Sequence, residues 1–273
     1  TYEQWRDYDR KRKYLKKDIE KILKRNLTKK VDEMYIIDTS VLEVDLSRSR
    51  KGKKIKNGVY DAEFVHSSTK GGTVGFIICV LINFSNLSVV KVEIYPNHTS
   101  KKEIWKEMVI DTLGTITGKK KIVIADAGFF AYQNYLFSPH YMIIPVIKPR
   151  KDLKDKTLKK IEELPASLLW WDQRYAGMFE DLLRQFHEII DETVTLIQHY
   201  DNVKKIRSEI EILFKVAKRI FGMEEFHVYY TDAALWKAYI CLYVSSLFLQ
   251  YLKSNKINEH RIIELLQQNQ GLT

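Results

Sequence analysis

Cysteine is scarce in this chain, with two residues, Cys79 and Cys241, among 273. Both stand inside apolar runs, so the sequence offers no disulfide framework and no thiolate zinc site. It reads instead as two buried thiols in a reducing compartment. A secretory leader is lacking too, because the N-terminus is polar and densely charged. No clear membrane span is present: the stretch 233–252 is rich in apolar residues, but Lys237 and its scattered Ser and Tyr suit a core helix better. The chain opens at Thr1 without an initiator Met, which leaves room for sequence upstream.

What is present sets a frame. At 45% hydrophobic and 12% aromatic content, 273 residues bury a sizeable core as one large domain, or as one domain carrying an insertion. The formal net charge of +10 fits a polyanion partner, whose phosphates Lys and Arg would neutralise with release of counterions. Charge of this size is equally that of a merely basic soluble protein.

The elements follow in order. Over 2–27, Trp5, Tyr8, Tyr14, Leu15, Ile19, Ile22 and Leu23 recur at helical spacing among many charges, predicting a basic amphipathic arm over 1–33. Such an arm either packs on the main domain or contacts DNA or a second subunit. Met34-Tyr-Ile-Ile-Asp38-Thr-Ser-Val-Leu is an apolar run of strand length with an aspartate in its middle, where Asp is depleted and costly to bury unpaired. The stretch 47–57, with Arg48, Arg50, Lys51, Lys53, Lys54 and Lys56 around Gly52, is a basic loop. It reads either as a phosphate grip or as a solvated hairpin tip.

A buried strand over 75–84 and an alternating strand over 88–95, joined by Ser85-Asn86, predict a hairpin. Ser100 and Glu103 form a capping box ahead of Ile104, Trp105, Met108, Val109 and Leu113, which predicts a crossover helix. Lys121-Ile-Val-Ile-Ala-Asp126-Ala-Gly-Phe returns as a short strand ending on an acid. In open α/β sheets ligands bind beyond the carboxyl ends of strands, so Asp126 is placed for catalysis; an Asp there is also an ordinary helix cap or turn former. A short helix over 132–137 and a strand over 141–147 complete the sheet, before Pro149 and a charged run mark a break.

The region 151–202 is mainly helical, with Leu182, Leu183, Phe186, Ile189, Ile190, Val194 and Ile197 at helical spacing, and reads as an insertion. Its adjacent Trp170 and Trp171 are either core anchors or a platform on which an exposed base stacks. The next helix carries Arg207, Glu211 and Lys218 within roughly 40° of one another on the helical wheel. Ile210, Leu213, Phe214, Ala217 and Phe221 form its apolar face. Arg207 and Glu211 make an ordinary i,i+4 surface pair, or they belong to a site.

Asp38, Asp126 and Glu211 therefore stand in order, on a first strand, at the end of a fourth, and on a late helix. Three antiparallel strands, a crossover helix and two further strands would make the first and fourth neighbours, with the two aspartates side by side. That plan is ribonuclease H-like, a mixed α/β sheet flanked by helices. The chain resembles the DDE transposases of prokaryotic insertion sequences, whose third acid lies in a Tyr-x2-Arg-x3-Glu-x6-Lys signature. Arg207-x3-Glu211-x6-Lys218 keeps three of its four elements, and Lys204 stands at the tyrosine position. Ile-Ile-Asp38-Thr-Ser and Ile-Ala-Asp126-Ala-Gly-Phe are similar to the family's first two acid strands, and the resemblance covers 34–252.

The resemblance implies a core over 34–150 and 203–253, interrupted by the helical insertion 151–202 and followed by a tail over 254–273. It implies two Mg²⁺ ions, with Mn²⁺ as a substitute, held by Asp38, Asp126 and Glu211, about 3.5–4 Å apart in enzymes of this type. Arg207, Lys215 and Lys218 would offset carboxylate charge or hold DNA phosphates. It further implies a cytoplasmic, nucleoid-associated enzyme acting on transposon terminal repeats and target DNA, as a homodimer on paired ends. Two other readings share these residues: a nuclease or resolvase of the same fold that does not join strands, and a domesticated DNA-binding protein without catalysis.

Overall fold

The computed structural model describes residues 34–44, 61–67, 71–149, 154–164, 180–224 and 230–258, with the single positions Lys21 and Ile262. The rest of the arm over 1–33, the basic loop with Arg48, Arg50, Lys51, Lys53 and Lys54, the pair Trp170 and Trp171, and most of the tail lie outside them.

Among the described residues six strands form one mixed sheet, in the order Glu63–Ser67 (β2), Gly71–Asn83 (β3), Met34–Glu43 (β1), Lys121–Ala125 (β5) and Ile143–Ile147 (β6), with Val89–Tyr95 (β4) also on β3. β1 (Met34–Glu43) opens it with Tyr35, Ile36 and Ile37 fully buried. β3 (Gly71–Asn83) is buried along most of its length, and β4 (Val89–Tyr95) returns antiparallel to it. Their turn is set by two asparagine side chains: Asn83 Oδ1 accepts from the Ser85 N–H at 3.0 Å and Asn86 Oδ1 from the Ser88 N–H at 2.9 Å. Asn and Asp favour turns because the side chain captures the backbone two residues on. β5 (Lys121–Ala125) and β6 (Ile143–Ile147) run parallel to each other, and β5 runs parallel to β1. The expected strands are all present, and the plan is ribonuclease H-like.

One strand is additional. β2 (Glu63–Ser67) pairs antiparallel with residues 71–75 of β3, so the second acid follows the fifth strand of the chain rather than the fourth. Its periodicity is weak because Phe64 is 63% exposed. The crossover helix also departs from expectation. α1 (Lys101–Trp105), with the expected Ser100/Glu103 capping box, gives way to a π-helical turn over Lys106–Ile110 and then to α2 (Asp111–Leu113).

The chain divides into two compact units, and both β1 and the helix 200–219 contribute to each. In the unit built from 32–38 and 99–209, α3 (Tyr132–Phe137) and a 3₁₀ turn lead into β6. α4 (Lys154–Glu162) packs on α5 (Glu180–Gln198), and α5 packs on β6. Trp105 is fully buried here, its Nε1–H donating to Ser138 Oγ at 3.0 Å and its ring 6.1 Å from that of Phe129. Lys121 is fully buried too. Its ammonium donates to the carbonyls of Leu113 and Ile116, closing the end of the crossover helix, and burial lowers its pKa.

In the other unit, α6 (Tyr200–Arg219) contributes its second half, and α7 (Thr231–Ser254) packs on β3 and β4. α7 is the one described helix long and apolar enough to cross a membrane. Eleven of its side chains are buried, and Tyr239 and Ser246 donate hydroxyls to the Val92 and Leu87 carbonyls. This is the expected core helix. Cys79 and Cys241 are buried free thiols, and burial pushes the Cys241 thiol up.

Gly75 fixes how closely β3 approaches β1. A methyl group there would overlap the backbone carbonyl of Leu42, four residues beyond Asp38. Gly75→Ala is expected to lower stability by about 1–3 kcal/mol, the usual range for overpacking. Chemical denaturation measures this, and an unchanged midpoint would mean that the strands part at no cost.

Candidate functional site

The register of two strands places the first two acids. β1 and β5 pair in parallel from Met34↔Ile122 to Ile37↔Ala125, and Asp38 and Asp126 are the next residues on each. Adjacent strands lie about 4.8 Å apart, so the two carboxylates come from neighbouring backbones at one end of the sheet. Their side chains are part-exposed, at 15% for Asp38 and 43% for Asp126.

Asp126 does not serve as a cap. It precedes the 3₁₀ turn Ala127–Phe129 and makes no side-chain capping hydrogen bond, so the turn-forming reading of its carboxylate fails. Other groups hold its loop. The Lys148 N–H donates to the Ala125 carbonyl at 3.1 Å, Asn134 Nδ2 donates to the Phe129 carbonyl at 2.7 Å, and Lys101 Nζ lies 5.0 Å from the centre of the Phe129 ring. A carboxylate on a loop pinned in this way needs little ordering when it takes up a ligand.

Both acids meet Arg207. Its Nη1 lies 3.4 Å from Asp38 Oδ2 and 3.7 Å from Asp126 Oδ1, and its side chain is 19% exposed. Two like charges at this spacing repel, and a guanidinium, always charged, offsets half of that charge. The pairing of Arg207 with an acid outside its own helix decides against a purely local i,i+4 surface pair.

α6 also supplies a residue that sequence reading missed. Tyr200 is buried, and its hydroxyl donates to the Ala125 carbonyl at 3.3 Å, next to Asp126. Tyr200 and Arg207 are seven residues apart, about two helical turns, and so share a face; that spacing was the available signal. The expected apolar face is buried at Ile210, Leu213, Phe214 and Ala217, joined by Val216. Phe221 lies beyond the end of α6 and makes an edge contact with Phe248.

Glu211 lies one turn beyond Arg207 on α6 and is exposed, and Lys215 is half-buried on the same helix. Lys218 ties α6 to β1: its ammonium donates to the Val41 carbonyl at 3.0 Å and lies 3.6 Å from Glu224. Among the described residues no group of three or more His, Cys, Asp or Glu is arranged to hold a metal ion. The structure thus gathers Asp38, Asp126 and Arg207. The two aspartates nevertheless suit a divalent ion, because they turn hard oxygen donors toward one cationic group.

Comparison with known proteins adds the lineage. No curated protein matches the chain. Among solved structures it is similar to a piggyBac transposase in a synaptic complex with hairpin DNA, at 13% identity and a TM-score of 0.33. That match covers 47% of this chain and 26% of the other, so the chain spans about a quarter of that protein's length. The family described as the transposase DDE domain matches residues 29–247, a span that includes Asp38, Asp126, Arg207 and Glu211. The chain belongs to the transposase DDE domain family.

Proposed function

We propose that the chain is a DNA transposase of the prokaryotic insertion-sequence type, which cleaves at transposon ends and joins the freed strand to target DNA. The observation that carries this reading is the meeting of Asp38 and Asp126, on adjacent parallel strands, at Arg207 of the signature helix. Asp38, Asp126 and Glu211 would hold divalent metal, Mg²⁺ or Mn²⁺. Bound metal supplies activation of the attacking oxygen and stabilisation of the leaving oxygen in an in-line displacement.

The chain's own residues do the rest. Asp38 and Asp126 present their carboxylates from fixed backbone positions, which keeps the reacting phosphate in one orientation. Arg207 and Lys215 neutralise phosphate charge, Arg207 with a planar fork that matches phosphate oxygens. Lys218 steadies β1 three residues past Asp38. The net charge of +10 favours DNA on approach, and a pair of subunits would bring two ends together.

The test is a strand-transfer reaction with labelled terminal-repeat DNA, purified protein and Mg²⁺ or Mn²⁺. Joined products are expected, and none with chelator present. Cut but unjoined products would favour a nuclease of the same fold, and binding without cutting would favour a domesticated DNA-binding protein.

A further inference from the structure

We propose that Lys148 binds the DNA phosphate next to the one held at the acid pair, and so sets the path of the strand across the carboxyl end of the sheet. This rests on the proposed reading of Asp38 and Asp126 as the site of DNA cleavage. Two strand registers meet in one row. Ile37 pairs with Ala125 and Ala125 pairs with Ile147, so Asp38, Asp126 and Lys148 are the next residues on three adjacent parallel strands. The ladder reaches Lys148 itself, whose N–H donates to the Ala125 carbonyl at 3.1 Å. Residues in register on a pleated sheet turn to the same face, so the row presents two carboxylates and then one ammonium.

The residue type stands out at that position. β6 reads Ile-Ile-Pro-Val-Ile, buried at all five residues, and a cation follows it directly. Lys148 is half-buried, and among the described residues no ion pair joins it to Asp126 or to another carboxylate. Other cations of the same unit are engaged within the protein: Arg207 by the two aspartates, Lys120 by Glu188 and Glu192, and Lys121 by the Leu113 and Ile116 carbonyls. The Lys148 ammonium is left for a group outside the chain. A phosphate suits it, because lysine binds phosphate as a point charge. Neighbouring strands lie about 4.8 Å apart, so a lysine one strand from Asp126 reaches a phosphate that adjoins the reacting one.

Binding of labelled DNA to the full chain across a range of salt concentrations tests this. Lys148→Gln is expected to bind about tenfold more weakly, the low end for a hydrogen bond between charged groups. The loss should be the same on terminal-repeat and on scrambled DNA, because a phosphate contact carries no sequence information. The slope of log affinity against log salt should fall by about 0.9, one phosphate contact. Lys148→Arg should restore both. Lys119 is an exposed lysine before the opposite end of β5, and an equal loss in Lys119→Gln would reveal a general charge effect and overturn the proposal. The contact itself is read by replacing single phosphates beside the cleaved one with neutral methylphosphonates. At one position the replacement should weaken binding by the unsubstituted chain and weaken Lys148→Gln no further. Equal weakening of both at every position overturns the proposal. Should circular dichroism show that Lys148→Gln is unfolded, Lys148→Met, which keeps the apolar stem, takes its place. Unchanged binding by the variant, with metal-dependent cleavage intact in the unsubstituted chain, removes Lys148 alone. If the unsubstituted chain neither binds nor cleaves DNA, the function on which the proposal rests falls with it.

Discussion

Asp38→Asn and Asp126→Asn should each lower metal-dependent DNA cleavage by about a thousandfold or more, which corresponds to about 4 kcal/mol of lost transition-state stabilisation. The size follows from what the change removes. An amide nearly isosteric with the carboxylate keeps the packing at the end of the sheet but loses the negative charge that, under the proposed function, would hold a divalent ion. The loss should therefore appear in the rate and not in the fold. Asp126 is 43% exposed and lies 3.7 Å from Arg207, and exposed pairs contribute only about 0–1 kcal/mol, so the melting temperature of Asp126→Asn should change by a few degrees at most. Glu211→Gln should match the aspartate variants if the third acid completes the site. Single-turnover cleavage of labelled DNA measures all three. Cleavage by Asp38→Asn within a fewfold of the unsubstituted rate would remove this acid from catalysis.

Trp105→Ala should cost about 3–5 kcal/mol, the range for emptying a buried aromatic position. Trp105 is fully buried, its ring meets Phe129, and its Nε1–H donates to Ser138 Oγ, so truncation opens a cavity and removes a hydrogen bond together. Trp105→Phe keeps most of the volume and loses the bond, and its cost should fall to about 1–2 kcal/mol. Phe129 closes the turn that follows Asp126, so cleavage by Trp105→Ala should also suffer under conditions in which the protein is still folded. Urea titration measures the stability, and a loss below about 1 kcal/mol for the alanine variant would mean that the site collapses without a void.

Local chemistry was legible because it is local. The capping box at Ser100 and Glu103 formed as its spacing required, since two orphan donors at a helix start are satisfied within four residues. The apolar face of α6 followed from its period, and the hairpin from alternation around a turn of asparagines. The π turn over Lys106–Ile110 left no such mark. Helical periodicity over the crossover helix tolerates one extra residue in a turn, and nothing in the side chains announces it.

The sequence by itself determined five of the six described strands, the order of Asp38, Asp126 and Glu211, and the place of Asp38 within a strand, where a carboxylate is unusual. Only the tertiary structure decided that Asp38 and Asp126 follow the same Ile37↔Ala125 pair and that Arg207, 169 residues from Asp38, reaches both. It also brought the Tyr200 hydroxyl to Ala125 and the Lys218 ammonium to Val41. The physical reason is the range of the forces involved. Periodicity and capping are satisfied within a few residues, whereas strand register and charge pairing are settled only when distant segments compete for the same partners.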